Sequence, residues 1–454
     1  MSISSATASS TTAFDLVVRG GTVVNHAGRA LTDVGIRNGV VAAIGDLGAV
    51  SAAEIFDARG LTVLPGVIDS QVHFREPGLE HKEDLASGTA AAALGGVTAV
   101  FEMPNTRPST TTAELLADKL ARASGRTWTD HAFFIGGCGE NAEQLGDLER
   151  LPGCSGTKIF MGSSTGSLLV EDDATLSRVL SAIRRRMSVH SEDEARLRSR
   201  RGLIPAQGAT PHLHPEWRDV ETAVSSTRRL LALALKHRKR VHVLHISTAE
   251  ELDLLRERRD VATVEVLANH LTLAAPDCYD RLGTYAVQNP PIRDARHRTA
   301  LWAAIADGTI DVLATDHAPH TRAEKDVGYP ASPSGMPGAQ TLVGIMLDHV
   351  NAGRLSLERF IDLTSAGPQR VFNIAGKGRL ACGYDGDLTI VDLKRAHVIS
   401  DAEQASKVGW TPFAGMTVTG WPVATVIRGQ VVMRDGQLIG KPVGRPVKFA
   451  ECLP

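Results

Sequence analysis

The sequence lacks the features that mark membrane, secreted and nucleic-acid-binding proteins. In its 454 residues no apolar run approaches the roughly 20 residues needed to span a bilayer. The opening stretch, MSISSATASSTTA, has neither the basic start nor the apolar core of a secretory signal, and we expect residues 1–13 to form a disordered tail. Lys and Arg number 49 against 51 Asp and Glu, so no net field favours nucleic acid or an anionic membrane. Any ligand must therefore be recognised locally.

Cysteines are few and are not arranged in pairs. The five are Cys138, Cys154, Cys278, Cys382 and Cys452. An odd, scattered set without a CxxC motif argues against a disulfide framework and against a thiolate zinc site. We expect a protein of the reducing cytoplasm. The 43% hydrophobic and 22% charged residues are typical of a globular chain.

Both ends of the chain read as antiparallel sheet. Residues 14–45 contain short β-branched runs broken by Gly-Gly and Asn-Gly, which favour hairpins. The same pattern of β-branched runs broken by turn residues occurs again in YDGDLTIVDL and GWPVATVIRGQVVMRDGQLIG. We predict that residues 14–63 and 370–450 fold together as one small β-sandwich domain.

The middle of the chain repeats an apolar run, a polar corner and a stretch with helical spacing. Eight such runs occur, at residues 64–73, 97–104, 129–137, 156–162, 186–193, 240–247, 263–270 and 311–319. Buried parallel strands are typically continuous Val, Ile and Leu runs of this kind. The pattern predicts an α/β fold, a (β/α)₈ TIM-type barrel over residues 64–369, with its chemistry at the carboxyl ends of the strands.

The first of these strands ends in polar residues. Asp69, Gln71, His73 and Arg75 alternate, so they share one strand face and are predicted to point into the barrel mouth. Taken alone, His73 could be a core histidine and Arg75 a structural ion-pair partner.

Lys158 lies inside an apolar run, GTKIFMG. A charged ammonium there must be paired or chemically changed. It could be an ion-paired or snorkelling lysine, or it could react with carbon dioxide to give an anionic carbamate that bridges metals.

Three further candidates end later strands. His190 ends the fifth run, His245 lies in the sixth and Asp316 in the eighth. His242 and His245 are three residues apart, so they should face opposite ways, and we favour His245 as nearer the strand end. Imidazole and carboxylate donors without thiolates suit an ion such as Zn²⁺ and leave positions open for catalysis.

A run of arginines, in contrast, is interpreted as a solvated face. It comprises Arg184, Arg185, Arg186, Arg196, Arg198, Arg200 and Arg201. No aromatic residues are interleaved with it, as they would be in a nucleic-acid-binding surface.

The sequence resembles the amidohydrolase superfamily and, within it, the dihydroorotases. The motifs that carry the resemblance are HFREPG (73–78), EMPNT (102–106), HSEDE (190–194), NPPIR (289–293), ATDHAPH (314–320) and GWPVATVIRG (420–429). The resemblance extends from about Phe14 to Lys448. It implies a metal-dependent barrel enzyme that interconverts dihydroorotate and N-carbamoyl-aspartate in pyrimidine biosynthesis.

The resemblance also assigns roles to individual residues. The metal ligands it implies are His73, carboxylated Lys158, His190, His245 and Asp316, and Asp316 is also the catalytic proton shuttle. Arg75, Asn105 and His320 would hold the substrate carboxylate, and Asn289 would touch the ring. A guanidinium fork, an amide and an imidazole can together orient one carboxylate.

Two departures from the family pattern have consequences. The family's first strand carries His-x-His, whereas here the earlier position is Gln71. An amide is a weaker zinc donor than imidazole, so we predict one firmly held zinc ion and a second site that is weak or empty. The family's Gly-x-x-Gly-x-Glu-Thr stretch reads GMPGAQT at residues 335–341, which could alter oligomer contacts or loop support.

Three functions remain open from the sequence. Besides a dihydroorotase, the chain could be a hydantoinase-like or allantoinase-like cyclic amidase, or a catalytically silent scaffold for another enzyme. The Arg75, Asn105 and His320 set favours the first, because it has no purpose for a substrate without a carboxylate. We expect a small-molecule substrate, a homo-oligomer, and association with a carbamoyltransferase as a further partner.

Overall fold

The computed structural model describes residues 13–25, 28–163 and 168–452. All of the predicted tail except Ala13 lies outside the described residues. Among the described residues, no helix combines the length and the apolar character that crossing a bilayer requires. Two sheets organise the chain, one from its middle and one from its two ends.

The middle of the chain forms an eight-stranded parallel sheet in which strands pair in sequence order. Its strands are β6 (Val67–Val72), β7 (Val97–Glu102), β8 (Asp130–Gly136), β9 (Cys154–Phe160), β10 (Met187–His190), β11 (Val241–Val243), β12 (Ala262–Leu267) and β13 (Val312–Ala314). The ring closes just beyond the last strand, where Val72 pairs with His317. Each of the eight predicted runs overlaps one of these strands, so the predicted barrel is confirmed.

Helices follow the barrel strands. The longer ones are α1 (Leu85–Leu94), α2 (Ala113–Ala123), α4 (Asp173–Ala182), α7 (Val220–His237), α8 (Ala249–Arg256), α11 (Ala295–Ala306) and α13 (Leu342–Asn351). The shorter ones are α3 (Leu145–Leu148), α5 (Glu194–Arg200), α6 (His214–Trp217), α9 (Ala268–Thr272), α10 (Asp277–Leu282), α12 (Arg322–Lys325), α14 (Leu357–Ile361) and α15 (Gly367–Phe372). Polar caps such as Asp219 and Thr248 begin several of them by accepting a backbone N–H.

The two chain ends form one mixed sheet of nine strands. They are β1 (Phe14–Asn25), β2 (Gly28–Arg37), β3 (Val40–Gly45), β4 (Ala52–Asp57), β5 (Thr62–Pro65), β14 (Leu388–Val398), β15 (Thr417–Ile427), β16 (Gln430–Arg434) and β17 (Gln437–Leu438). β5 pairs with β14, which joins the amino-terminal and carboxyl-terminal halves. The expectation that both ends build one β module is confirmed, and the domain borders at 63/64 and 369/370 stay a prediction.

A buried ionic cluster joins this sheet to the barrel. The Lys377 ammonium lies 2.6 Å from Asp130, 2.8 Å from Asp385 and 2.6 Å from Asp387. Arg428 also pairs with Asp130, which begins barrel strand β8. Although burial opposes it, the three carboxylates raise the pKa of Lys377. The three acidic side chains are close enough together to hold a metal ion, but here they already hold a lysine.

The arginine run differs from its prediction. Arg184, Arg198 and Arg201 are exposed, whereas Arg185 is 5% exposed and Arg186 is half-buried. Arg185 donates to the carbonyls of Glu149, Cys154 and Phe372 beneath the barrel. The interpretation of this run as a solvated face is therefore wrong for Arg185 and Arg186, because they directly precede strand β10 and lie under the barrel.

Candidate active site

Polar side chains from six barrel strands and their loops converge at the carboxyl ends of the strands. They surround one cavity, lined by Gln71, His73, Arg75, Lys158, Phe160, His190, His245, Asn289, Asp316, Ala318, Ser334 and Gly335. This set contains the five predicted metal ligands, Gln71, and two of the four predicted substrate-binding residues. In TIM-type barrels this is the end at which active sites are built.

The backbone is constrained at three of these positions. Arg75, His245 and Asp316 have φ values of 67°, 40° and 49°, in the left-handed region that side chains other than glycine rarely adopt. Such conformations cost of order 1–3 kcal/mol each and collect at functional sites. Three such strained residues around one cavity indicate that the backbone adopts unfavourable conformations there in order to direct these side chains into the cavity.

The predicted ligand atoms face one another in pairs. His190 Nδ1 lies 3.1 Å from His245 Nε2, and His73 Nε2 lies 2.9 Å from Asp316 Oδ1. Burial lowers the pKa of each of the three histidines. Neutral imidazole nitrogens and a carboxylate, brought together away from water, form a donor set that a cation would stabilise.

Lys158 lies among these ligands without a hydrogen-bond partner. Its ammonium is buried, at 1% exposure of the residue, and its nearest aromatic contact is the Phe160 ring, whose centroid is 4.4 Å away. Burial lowers its pKa to about 7, against the opposing attraction of Asp316 and Glu265. A lysine in this state holds a substantial fraction of reactive neutral amine near neutral pH.

Gln71 also presents an unsatisfied atom. Its side chain is buried and lines the cavity, and its Oε1 accepts no hydrogen bond. A buried amide oxygen without a donor is unfavourable, so an electrophilic partner such as a metal ion or its water fits this position. The orphaned Oε1 and the orphaned Lys158 Nζ together make the residues present compatible with a metal centre.

Two residues that sequence reasoning missed support the ligands. Glu192 Oε2 lies 2.9 Å from His190 Nε2, on the far side of the ring from His245. Arg218, just after the short helix α6, pairs with the same carboxylate and also donates to the Ser163 carbonyl. Although burial opposes it, Arg218 and His190 lower the pKa of Glu192 to about 2. A carboxylate that holds the second nitrogen fixes the ring for metal binding. The signal was present in HSEDE, two residues after His190.

Asn105 plays a similar part for His73. Its Oδ1 lies 2.9 Å from His73 Nδ1, so the ring can donate there and turn Nε2 to the cavity. The predicted substrate-binding residue thus contacts a predicted metal ligand directly.

A cluster of cations marks the other side of the cavity. Arg75 is 1% exposed, and its Nη2 lies 3.3 Å from His320 Nε2. Lys82, also missed from the sequence, lies 3.0 Å from His320 Nδ1 and 2.8 Å from Glu324. Burial and the charges of Arg75 and Lys82 lower the pKa of His320 well below its ordinary value.

This arrangement selects one tautomer of His320. An ammonium can only donate, so Nδ1 must accept from Lys82 and the ring hydrogen must sit on Nε2. Nε2 lies 3.0 Å from the Ser334 carbonyl, which accepts that hydrogen. The neutral His320 thus gives its Nε2–H to Ser334 beside Arg75, and an anion bound there would accept from Arg75 and would take the Nε2–H only in place of the Ser334 carbonyl.

Asn289 lines the same cavity. Its Oδ1 is 2.9 Å from Nε2 of His214, which also lies 3.0 Å from the Gln288 carbonyl. His214 comes from helix α6 and thereby positions Asn289 from a neighbouring loop.

Two other histidines are placed outside the ligand set. His242 lies inside the barrel below the site, 2.9 Å from Thr263 Oγ1 and 3.5 Å from Glu265. Strand β11 ends at Val243, and the left-handed His245 lies beyond it, so strand alternation does not relate the two. His317 accepts the backbone N–H groups of Gly338 and Ala339 and is structural.

The GMPGAQT stretch supports the loops around the site within one chain. Gln340 donates to the Glu403 carbonyl and accepts the N–H of Ala405, at 2.7 and 2.9 Å. Gly335 lines the cavity, and a Cβ there would lie 2.4 Å from the Ala318 carbonyl. This departure from the family pattern therefore acts in loop support.

Residues 62–432 match the amidohydrolase family. The chain belongs to that family. Among curated relatives, a dihydroorotase of Methanosarcina acetivorans is 36% identical over 90% of this chain and 89% of its own. A dihydroorotase of Halobacterium salinarum is 38% identical over 85% and 89%. The predicted class, a metal-dependent hydrolase of cyclic amides, is confirmed.

Solved structures similar to this amidohydrolase carry other names. The L-hydantoinase (dihydropyrimidinase) of Arthrobacter aurescens superposes with a TM-score of 0.91 at 30% identity, covering 96% of this chain and 99% of its own. The dihydropyrimidinase of Brevibacillus agri NCHU1002 gives 0.88 at 28% identity, covering 96% and 99%. Backbone similarity alone therefore does not select the substrate, and the side chains at the cavity must.

Proposed function

We propose that this amidohydrolase is a dihydroorotase, which reversibly hydrolyses dihydroorotate to N-carbamoyl-aspartate in pyrimidine biosynthesis. The observation that carries the proposal is the buried Arg75, whose guanidinium contacts the oriented N–H side of His320 at the rim of the ligand cluster. Arg75 donates within the protein to the Pro319 carbonyl, and a neutral hydantoin would leave its buried charge without a carboxylate partner, at a cost of several kcal/mol. The curated relatives carry the same name.

The residues that would hold metal are His73, Lys158, His190, His245 and Asp316, with Gln71 beside them. A zinc ion bound there would polarise the ring carbonyl and lower the pKa of a water molecule to about 7. The His190 and His245 rings already lie 3.1 Å apart. On the first strand, however, His73 is accompanied by the amide of Gln71 and not by a second imidazole. We propose one firmly bound zinc ion and a weak or empty second position.

Lys158 is proposed to carry a carbamate. Its neutral amine attacks carbon dioxide, an N–C bond forms, one C=O electron pair becomes the carboxylate charge, and the nitrogen loses a proton to water. The support is its burial, its orphaned Nζ and its pKa of about 7. The product is an anion with two oxygen donors where an unpaired ammonium stood.

The remaining residues bind and transfer a proton. Arg75 and His320 donate to the substrate carboxylate, while Asn289 contacts the ring. Asp316 accepts the proton from the attacking water as the new C–O bond forms. It then gives that proton to the ring nitrogen as the C–N bond breaks, and the same carboxylate serves the reverse reaction.

The direct test is ring opening of dihydroorotate, followed by ultraviolet absorbance. Asp316→Ala should reduce kcat by at least roughly 10³-fold, because it removes both a ligand and the proton carrier. Asp253→Ala, on an exposed turn of α8, is the matched control and should retain wild-type activity. A metal-loaded protein that is inert toward both dihydroorotate and N-carbamoyl-aspartate would exclude the proposal.

A second candidate is a hydantoinase-like activity, favoured by the superposition on L-hydantoinase. It predicts that neutral hydantoins outcompete dihydroorotate in kcat/KM. The silent scaffold predicts a protein that contains no metal and co-purifies with a transferase.

Gln71 gives the metal proposal its own test. Gln71→His should raise the bound zinc from about one toward two ions per chain, because a stronger donor completes the first-strand pair. Two zinc ions that survive mild chelation in the unmodified protein would contradict the proposal.

We further propose a cytoplasmic homo-oligomer that associates with a carbamoyltransferase. Light scattering of the purified protein measures the oligomeric state, and co-purification tests the association with the transferase. A monomer at micromolar concentration would contradict the oligomer.

A further inference from the structure

The opposite end of the barrel contains a second concentration of charge. Arg185, Arg186, Arg240 and Arg370 line one crevice together with Ser155, Val371, Phe372, Asn373 and Glu451. Arg185, Arg186 and Arg240 directly precede strands β10 and β11, and Ser155 lies at the start of β9. The crevice is therefore at the amino-terminal ends of the strands, away from the active site.

The positive charges here are only partly neutralised. Arg186 makes one contact, to the Val241 carbonyl at 3.3 Å, and the exposed Arg240 side chain has no partner among the described residues. Arg370 shares Asp362 with Arg359. Burial and the charges of Arg240 and Arg259 lower the pKa of Arg186 to about 10, against the opposing attraction of Asp311 and Glu451.

Glu451 is the single acidic side chain that lines the crevice. Its Oε2 lies 3.6 Å from Arg185 Nε, and its side chain is 39% exposed. Among the residues that line the crevice, four guanidinium groups therefore accompany one carboxylate, which is partly exposed to solvent.

An unsatisfied hydroxyl points to a missing partner. Ser155 is 1% exposed and its Oγ has no hydrogen-bond partner. Strand pairing shifts at this residue, since Phe133 pairs with Cys154 and Phe134 with Gly156, so Ser155 is the extra residue of a β-bulge. Bulges at barrel rims commonly re-aim a side chain, and this one places a hydroxyl donor beside the arginines.

We propose that this crevice binds a phosphate group, as the free ion or on a small metabolite, which replaces the Glu451 carboxylate. Guanidinium forks match phosphate oxygens in pairs, and the Ser155 hydroxyl supplies a neutral donor. The site is separate from the proposed catalytic cavity and is lined by none of its residues.

The test is isothermal titration of the metal-loaded enzyme with inorganic phosphate, at ionic strength held constant with chloride. Saturable binding is expected. Glu451→Gln should bind phosphate about tenfold more tightly, the effect of removing one competing charge near an anion. Arg240→Gln should bind at least about tenfold more weakly. Arg228→Gln, an exposed arginine on α7, is the matched control and should bind like wild type.

Two further titrations test where phosphate binds and which kind of phosphate compound the crevice prefers. Arg75→Gln should leave phosphate binding unchanged, because Arg75 belongs to the other end of the barrel. Adenosine monophosphate that binds more tightly than phosphate would identify a phosphorylated metabolite, and equal affinity would identify the free ion. Binding that is lost in Arg75→Gln, or that is the same in Arg240→Gln and Glu451→Gln as in wild type, would overturn the proposal.

Discussion

Lys158 and Lys377 are both buried, and their surroundings have opposite effects. Lys377 has three carboxylates within 2.8 Å, which raise its pKa, whereas Lys158 has no hydrogen-bond partner and its pKa falls to about 7. Lys377 joins the barrel to the second sheet, and Lys158 lines the candidate active-site cavity. A buried charge that is fully paired contributes to the folded structure, whereas a buried charge that is left unpaired indicates a functional site.

The largest expected effect comes from replacing the unpaired lysine. Lys158→Met should lower kcat/KM by roughly 10³-fold or more, because the carbamate proposed to hold the metal can no longer form. Zinc content should fall with it. The metal-free variant should unfold at the same denaturant concentration as metal-free wild type or higher, since an unpaired buried charge has been removed. A variant that keeps its zinc would show that Lys158 is not a ligand.

Replacing the paired lysine should affect stability instead. Lys377→Met leaves three carboxylates around a vacant position, so the free energy of unfolding should drop by about 3–5 kcal/mol. Zinc per folded chain should stay at the wild-type value. Chemical denaturation measures the first quantity and metal analysis the second. If Lys377→Met were as stable as the wild type, the proposed structural role of Lys377 would be contradicted.

The two lysines should also give opposite pH dependences. The pKa of Lys158 is about 7 in the folded protein and 10.5 for an ordinary lysine. Between pH 7 and pH 10.5 the unfolded chain therefore binds more protons than the folded protein, and the free energy of unfolding rises with pH. Lys377 has a raised folded pKa, so its contribution is complete below pH 10.5 and is lost above it. In metal-free protein, Lys158→Met should therefore gain stability relative to wild type most at pH 6 and less at pH 9. An advantage that is constant with pH would contradict this.

The smallest expected effect is at the carboxylate side of the cavity. Lys82→Gln replaces the charged donor to Nδ1 of His320 with a shorter, neutral amide. KM for dihydroorotate should rise by about tenfold, the value of one charge-assisted hydrogen bond, while kcat changes little. Nitrogen NMR of the ring should show a weaker hydrogen bond at Nδ1 while the hydrogen stays on Nε2, where the Ser334 carbonyl accepts it. Lys236→Gln, exposed on α7, is the matched control.

The barrel and its ligands could be predicted because their signals are local. Each strand is a short apolar run. Four of the five proposed ligands, His73, His190, His245 and Asp316, are at or just beyond the end of such a run, and Lys158 lies inside one. The order of the runs therefore already predicts that the five lie together. The same reasoning failed where strands stop early, as at Val243, so that alternation could not relate His242 to His245.

The supporting residues could not be predicted because their contacts depend on how loops fold back. Arg218 reaches Glu192 from 26 residues away, and Arg428 reaches Asp130 from 298. No pattern within either segment specifies such a pairing. The burial of Arg185 is likewise absent from its local sequence, because it depends on the carbonyls of Glu149 and Phe372.

The most direct test of the account is a ratio of two kcat/KM values, for dihydroorotate and for dihydrouracil, which is the same ring without the carboxylate. The buried Arg75 and the oriented His320 predict that the wild-type enzyme favours dihydroorotate by at least roughly 10³-fold, the scale expected when a buried polar site is left unpaired. Arg75→Gln should reduce that preference to near unity. A wild-type enzyme that prefers dihydrouracil would contradict the assignment and place the chain with the hydantoinases it superposes on.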